Sequence, residues 1–489
     1  MGAAKALLLL TASVPAMMVV QQVEAQQTTS AIQGTVTSPN GDAVSGAQVT
    51  ITNTRTGRSA TGTTAGQGRF SFSGLEVGGP YTVLIESDRY QTEQIEGVFI
   101  SLSSAANLNI QLSSGDIEEI VITAAASVVT QLALGPSAAF GLDTLENFPS
   151  IDRDIRDMIR IDPRVTIDGG NNDSISCLGG NNRFNSFTID GVRTSDSFGL
   201  NASGFPSRNN MPIPFDAVRE TAVEFAPFDV EYGSFTGCNI NVVTKSGDNE
   251  FHGSAFGVFN SGGLTGSKID GRQAREGGFR DWNWGATLGG PIIKDKLWFF
   301  GAYEEVQDGG VIVDTGPSGA GFAQELPFLT EAMADSIANT FETVYNRDTL
   351  GVARNLPDES RRILGRLDWQ ITDDHRASFT YSRLREERQD PDDAFTAFTD
   401  FTFLDNFEIE GSETESYSAR VFSNWTDNFS TEIRASRIDI TDIQGPVGGG
   451  EAQDATPIPR IEILNVVNPA NGASGPSLAA PVSAVLRMI

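Results

Sequence analysis

The second half of the sequence alternates apolar and polar residues in short runs, and this period of two constrains the fold most. Each run is near the ~9–11 residues that a tilted strand needs to cross a bilayer. Short turns, such as the one ending at His375, alternate with long loops rich in Gly and Asp. We expect these runs to be the first strands of an incomplete transmembrane β-barrel. Such barrels alternate short turns with long loops, whereas a soluble all-β protein has less reason for loops of such unequal length. The predicted strands are 251–260, 281–290, 296–305, 364–372, 376–385, 416–425 and 428–439.

The N-terminus has the pattern of a secretory signal peptide at residues 1–25. Lys5 precedes an apolar run from Ala6 to Val20, and a small-x-small site ends at Ala25, so we expect cleavage before Gln26. No later stretch approaches 18 consecutive apolar residues. The sequence therefore predicts an exported protein. If the protein crosses a membrane, it does so with β-strands.

The charge and the rare residue types exclude several classes of function. Asp and Glu number 63 against 34 Lys and Arg, which gives a net charge of −29 and disfavours nucleic acid as a partner. Two histidines and two cysteines leave little for a catalytic triad or a metal site. We expect no enzyme, no catalytic residues, no cofactor and no bound metal.

Short β-type runs separated by Gly, Asn and Pro fill residues 31–112 and predict a sandwich of about seven strands. The motifs Ile32-x-Gly34-x-Val36 and Gly68-x-Phe70-x-Phe72 resemble the carboxypeptidase regulatory-like domain, a transthyretin-like module with a carbohydrate-binding-like fold. The resemblance implies such a domain at 29–113, serving as a structural spacer or as a glycan-binding module.

An acidic, β-branched stretch follows the sandwich. It is compatible with one more buried strand, or with an extended peptide that adds to the sheet edge of a partner. Its position before the next segment resembles the TonB box of TonB-dependent outer-membrane receptors, which implies a box at 117–124. The residues assigned to the box are Glu119, Ile120, Val121, Ile122, Thr123 and Ala124.

Residues 125–250 resemble the plug domain of the same receptors, in their Oar-like branch. An apolar helical face predicts a helix that Ser150 caps, and residues 216–220 read as a helical turn before a strand. An Asn-Val-Val-Thr-Lys-Ser-Gly string at 241–247 completes the pattern, although 163–165 read Pro-Arg-Val where plugs usually have Pro-Gly-Val. The plug motif residues are Gly179, Gly180, Asn181, Asn182, Arg183, Asp190 and Gly191.

Cys177 and Cys238 are the only cysteines, and both fall in the predicted plug. In an exported protein an even pair with no other partner favours a disulfide over two free buried thiols.

Together the resemblances imply a mainly β protein of the outer membrane, in which signal peptide, sandwich, α/β plug and barrel strands from 251 to 489 follow in order. Its function would be to bind an extracellular substrate and import it. TonB with its inner-membrane energising complex and outer-membrane lipids would be its partners. A SusC-like glycan importer and a non-transporting glycan-binding or adhesion protein are the alternatives. Because seven strands cannot close a barrel, we expect the sequence to be either the N-terminal part of a longer product or a truncated reading frame.

Overall fold

The computed structural model shows a mainly β chain in three successive parts, as the sequence predicts. The predicted signal peptide, with Ala25 and Gln26, lies outside the described residues. The structure describes residues 28–449 apart from 103, 115–119, 124–128, 134–136, 149, 151–152, 170–172, 197–200, 202–203, 208–210, 226–234, 265–267, 270–271, 274–279, 314, 391–400 and 427–428, and also 463 and 466–474.

The first part is a sandwich of two sheets, with strand orders β4-β1-β7-β9 and β3-β2-β5-β6-β8. Alternate residues of β1 are buried, which is the period of two expected for a strand with one face on a core. The seven strands predicted before residue 113 are present, and two later strands extend the sheets. The strands are β1 (Thr29–Thr37), β2 (Gln48–Asn53), β3 (Ser59–Thr63), β4 (Arg69–Glu76), β5 (Gly78–Ser87), β6 (Tyr90–Ile100), β7 (Ser104–Gln111), β8 (Ile120–Thr123) and β9 (Val129–Ala133).

A glycine of the sandwich motif allows two strands to come together. Gly34 lies in β1, which pairs in parallel with β7. A Cβ atom at Gly34 would stand 2.1 Å from the carbonyl oxygen of Leu108, so only a residue without a side chain fits.

The second part is an α/β unit around a sheet of order β10-β15-β16-β13-β14. Two predictions are corrected here. Asp154, rather than Ser150, caps the second helix, because its side chain accepts the Arg156 backbone N–H. The helical turn predicted at 216–220 is present as a 3₁₀ turn over Phe215–Ala217, but Arg219 and Glu220 already lie in strand β15, which is held between β10 and β16. The elements are β10 (Ser137–Phe140), α1 (Leu142–Asn147), α2 (Ile155–Ile159), β11 (Val165–Asp168), β12 (Ser174–Cys177), β13 (Ser186–Ile189), β14 (Val192–Arg193), β15 (Val218–Glu224) and β16 (Asn239–Thr244).

The third part is an antiparallel sheet of seven strands in sequence order, β17-β20-β21-β24-β25-β26-β27. The seven predicted strands are present among the described residues, and short turns join β20 to β21 and β24 to β25. The longer connections carry the remaining elements. The elements of the third part are β17 (His252–Ser261), β18 (Lys268–Ile269), β19 (Arg272–Gln273), β20 (Arg280–Ile293), β21 (Leu297–Ile312), β22 (Thr315–Ser318), β23 (Gln324–Thr330), α3 (Glu331–Tyr345), β24 (Asn355–Gln370), β25 (His375–Asp390), β26 (Glu408–Thr426) and β27 (Phe429–Pro446).

The strands of this sheet are longer than predicted. β24 and β25 have 16 residues each and β26 has 19, against the ~9–11 needed to cross a bilayer. The extra residues lie mostly toward the long loops, and about half of them are charged, since strand pairing can continue where side chains meet water. Along β24 the predicted apolar face is exposed at Leu367 and Trp369, whereas Arg366 and Asp368 point inward and are buried.

The α/β unit packs against the inner face of the long sheet. Phe300 and Leu364 of the sheet belong to one apolar core with Ile189, Phe215 and Val218 of the α/β unit. We refer to the parts as the sandwich (29–133, with β8 and β9), the plug unit (137–244) and the wall (252–446).

Candidate functional site

The predicted coupling segment is placed on the sandwich. Residues 120–123 form β8, which pairs in parallel with β6 so that Glu93 faces Ile120 and Glu96 faces Thr123 in register. β8 is the last strand of its sheet among the described residues. Glu119 and Ala124, the ends of the predicted box, lie outside the described residues.

The first plug motif forms a turn directly after the disulfide. Gly179 has φ of 78°, and the carbonyl oxygen of Gly180 accepts a hydrogen bond from the Ser176 hydroxyl at 2.8 Å. Asn181 then begins a 3₁₀ turn over Asn182 and Arg183, because its side chain accepts the Arg183 backbone N–H. These residues therefore shape the backbone.

The second plug motif connects the plug unit to the wall. The Asp190 carboxylate accepts the backbone N–H of Thr244 at 3.0 Å and its hydroxyl at 2.7 Å. Gly191 follows with φ of 75°, and its carbonyl oxygen accepts a hydrogen bond from Arg434 of β27 at 2.9 Å. The turn thus brings the buried Asp190 carboxylate and the carbonyl group of the buried Gly191 to the arginines of the wall.

Arg366 of β24 joins all three parts of the chain. It makes two hydrogen bonds with Asp368, of 2.9 and 3.0 Å, and donates to the carbonyl oxygen of Thr244 at 3.2 Å. It also lies 3.6 Å from the carboxylate of Asp190 in the plug unit and 3.9 Å from that of Glu76 in the sandwich. A buried guanidinium with several anionic partners is a rigid connection, since losing one of them leaves charge buried without compensation.

The sandwich contacts the plug unit through two neighbouring residues of β15. Arg219 donates to the carbonyl oxygen of Val77 at 3.0 Å. The Glu220 carboxylate accepts the backbone N–H of Leu102 at 2.7 Å. Val77 and Leu102 also form a small apolar cluster with Ala222 and Val243. We call these two hydrogen bonds and the cluster the docking contact.

Charges in the docking contact are perturbed by burial. Glu220 is only 3% exposed, and burial raises its pKa from 4.5 to about 7, although the Leu102 N–H and Arg219 act in the opposite direction. Burial, with Arg55 nearby, lowers the pKa of Arg219 to about 10. Burial alone would raise the pKa of Glu76, but Arg58 and Arg366 hold it well below its usual range. The docking contact therefore contains one carboxyl that titrates near neutrality.

The predicted disulfide is present and links Cys177 to Cys238, 61 residues apart. It joins the end of β12 to the start of β16, and both cysteines are buried in the core of the plug unit.

Sequence reasoning missed Arg366 and the docking contact. Arg366 had a visible signal, because it is a charged residue on the inward side of an alternating strand. Glu220 had none, since its partner is the backbone of a residue 118 positions away.

The described part of the chain offers neither a membrane-spanning helix nor a metal-binding cluster. No helix there is both long and apolar enough to span a membrane. No cluster of three or more His, Cys, Asp or Glu side chains there could hold a metal ion.

Two domain families match parts of the chain. The carboxypeptidase regulatory-like domain matches residues 31–113, which contain the seven strands of the sandwich up to β7. The outer membrane beta barrel domain matches residues 243–318, from the end of β16 into the loop after β21.

One curated protein and several solved structures are similar to parts of this chain. The TonB-dependent transporter Oar from Myxococcus xanthus is 28% identical over 375 residues, which cover 71% of this chain and 31% of the relative. The chain thus spans about a third of the length of that relative. Solved structures that resemble it include the siderophore receptor PirA from Acinetobacter baumannii (18% identity, TM-score 0.43, 62% of this chain and 40% of that one). The outer membrane transporter YddB from Escherichia coli is another (11% identity, TM-score 0.43, 63% and 39%).

Proposed function

We propose that this chain, an outer-membrane protein with the domains of a TonB-dependent receptor, binds an extracellular substrate and imports it with energy delivered by TonB. The observation that carries the proposal is the similarity to a TonB-dependent transporter over 71% of the chain. In this proposal a signal peptide is removed after Ala25, and the sandwich (29–113) and the box (117–124) lie in the periplasm. The plug (125–250) then occupies a barrel whose strands begin at 251.

The geometry supports a plug that is firmly held at rest. Asp190 and Thr244 of the plug unit bond to Arg366 of the wall, and Phe215 donates its backbone N–H to Glu304 of β21 at 2.8 Å. Import requires these buried polar contacts to rearrange. Such contacts are costly to break singly, which explains why an external energy source is needed.

The box is tested by removing one backbone donor. Val121→Pro takes away an N–H and is poorly tolerated in a paired strand, whereas Val121→Ala keeps the backbone intact. We expect the proline variant to lose binding to the purified periplasmic domain of TonB, and the alanine variant to keep it. Both should reach the outer membrane in equal amounts, as measured in isolated membranes. Undiminished TonB binding by the proline variant would reject the box.

The transport step is tested in cells that carry the protein. Candidate labelled substrates from three classes, ferric chelates, oligopeptides and oligosaccharides, are offered with and without an uncoupler of the proton gradient. We expect uptake of one class that stops with the uncoupler. Binding at the surface without any uptake would favour the adhesion alternative.

A further inference from the structure

The box segment is already a strand of a sheet, and this placement determines how a partner can reach it. Residues 120–123 form the last strand, β8, of the sheet β3-β2-β5-β6-β8 among the described residues. The register between β6 and β8 runs from the pair Glu93 and Ile120 to the pair Glu96 and Thr123. One edge of β8 bonds to β6. In the described residues no strand pairs with its other edge. An unpaired edge presents backbone N–H and C=O groups in the direction of the sheet and is a template for one more strand.

We infer that TonB binds this chain by adding an extended segment to the outer edge of β8, as a sixth strand of the sandwich sheet, while β8 stays paired with β6. This inference rests on the proposed function and specifies the surface on which the partner acts. The alternative, in which β8 first leaves the sandwich and pairs with TonB alone, breaks existing hydrogen bonds before new ones form. Addition to the edge keeps the parallel ladder and places the partner strand on an ordered template.

The charge around the strand indicates the chemistry of the partner segment. Asp116, Glu118 and Glu119 directly precede β8 in the sequence. Glu96 of β6 is exposed beside Thr123 in the register. A segment that carries lysine or arginine beside its strand residues is complementary to this edge, so its binding should weaken as salt concentration rises.

The same placement defines how a pull reaches the plug unit. β8 belongs to the sandwich sheet, and the sandwich is bonded to β15 by Arg219 and Glu220. Force applied to β8 therefore loads the docking contact together with the direct contact between Glu76 of the sandwich and Arg366 of the wall. The sandwich is in this inference the part that TonB moves first.

A disulfide between β6 and β8 separates the two mechanisms. In the full chain, Glu96→Cys with Thr123→Cys introduces a pair that is adjacent in the register. The matched control is Thr50→Cys with Thr61→Cys, which joins β2 to β3 at the opposite edge of the same sheet, where the two hydroxyl groups lie 3.3 Å apart. Glu96→Cys alone controls for the lost carboxylate. Crosslinking is scored by mass spectrometry, and binding to the TonB periplasmic domain by calorimetry.

We expect the crosslinked Glu96–Thr123 variant to bind TonB within about threefold of the single Glu96→Cys variant. A larger loss on crosslinking, with the β2–β3 control unaffected, would mean that β8 has to leave β6, and the inference would be wrong. Failure of the Glu96 and Thr123 cysteines to crosslink under conditions that join the β2–β3 pair would also overturn it. If the unmodified chain does not bind TonB at all, the proposed function fails instead.

Discussion

Glu220 makes the docking of the sandwich depend on pH, and replacing it with glutamine should remove that dependence. Its carboxylate accepts the Leu102 backbone N–H at 2.7 Å, and Arg219 is the charged neighbour that favours ionisation. Burial nevertheless dominates and raises the pKa from 4.5 to about 7. The docked state therefore prefers the protonated acid, whereas a Glu220 released into water would titrate near its ordinary value.

The size of the effect follows from linkage. A difference of about 2.5 pKa units corresponds to about 3 kcal/mol of docking free energy. Because the docked pKa is the higher one, this stabilisation is fully present below about pH 4.5. It is lost progressively as the pH rises to about 7 and stays lost above that. Glu220→Gln is neutral at every pH and keeps an oxygen for the Leu102 N–H. It should therefore dock more firmly than wild type at pH 8.

The assay measures the docked fraction directly. Spin labels at Thr61→Cys in β3 and Asp143→Cys in α1 report the distance between sandwich and plug unit from pH 5 to 8.5. Glu224→Gln is the matched control, because Glu224 lies on the same strand, is buried, and bonds to Asn239 inside the plug unit. We expect a pH-dependent docked fraction in wild type and in the control, and a flat profile in Glu220→Gln. A Glu220→Gln profile with the wild-type slope would refute the reasoning.

Two further predictions concern stability. Replacing Cys177 and Cys238 with serine opens a loop of 61 residues, and the chain-entropy model predicts that the plug unit loses about 4 kcal/mol of unfolding free energy. Denaturant unfolding without reductant measures this loss, and an unchanged unfolding midpoint would contradict the prediction. Arg366→Ala leaves buried carboxylates without their cation and should cost about 3–5 kcal/mol. Arg361→Ala, on the same strand but exposed, should cost under about 1 kcal/mol, and equal thermal shifts for the two would argue against the role of Arg366.

The sequence was sufficient where burial follows a local pattern. Wall strands such as β24 were predicted because one face meets water or lipid and the other meets the plug unit, so side chains such as Leu367 and Arg366 alternate in burial. The sandwich strands were predicted for the same reason, and Gly34 of their motif proved to be a point of close backbone approach. The disulfide could be predicted because only two cysteines exist.

The sequence was insufficient where partners are far apart in the chain. The box segment was compatible with a buried strand or a free peptide, and only the fold pairs it with β6. Arg219 and Glu220 read as part of a helical turn, because the pairing of β15 between β10 and β16 is not visible locally. Strand ends were also misplaced, since hydrogen bonding continues after the apolar pattern stops.

The disulfide also limits how far the plug unit can lengthen under tension. A chain drawn out from β8 extends by about 3.4 Å for each residue released. The chain between Cys177 and Cys238, which are 61 positions apart, cannot contribute, so about 200 Å of contour length is withheld as long as the bond is intact. Whatever opening the pull produces must come from residues outside the closed loop, before Cys177 or after Cys238, or from movement of the closed loop as one body.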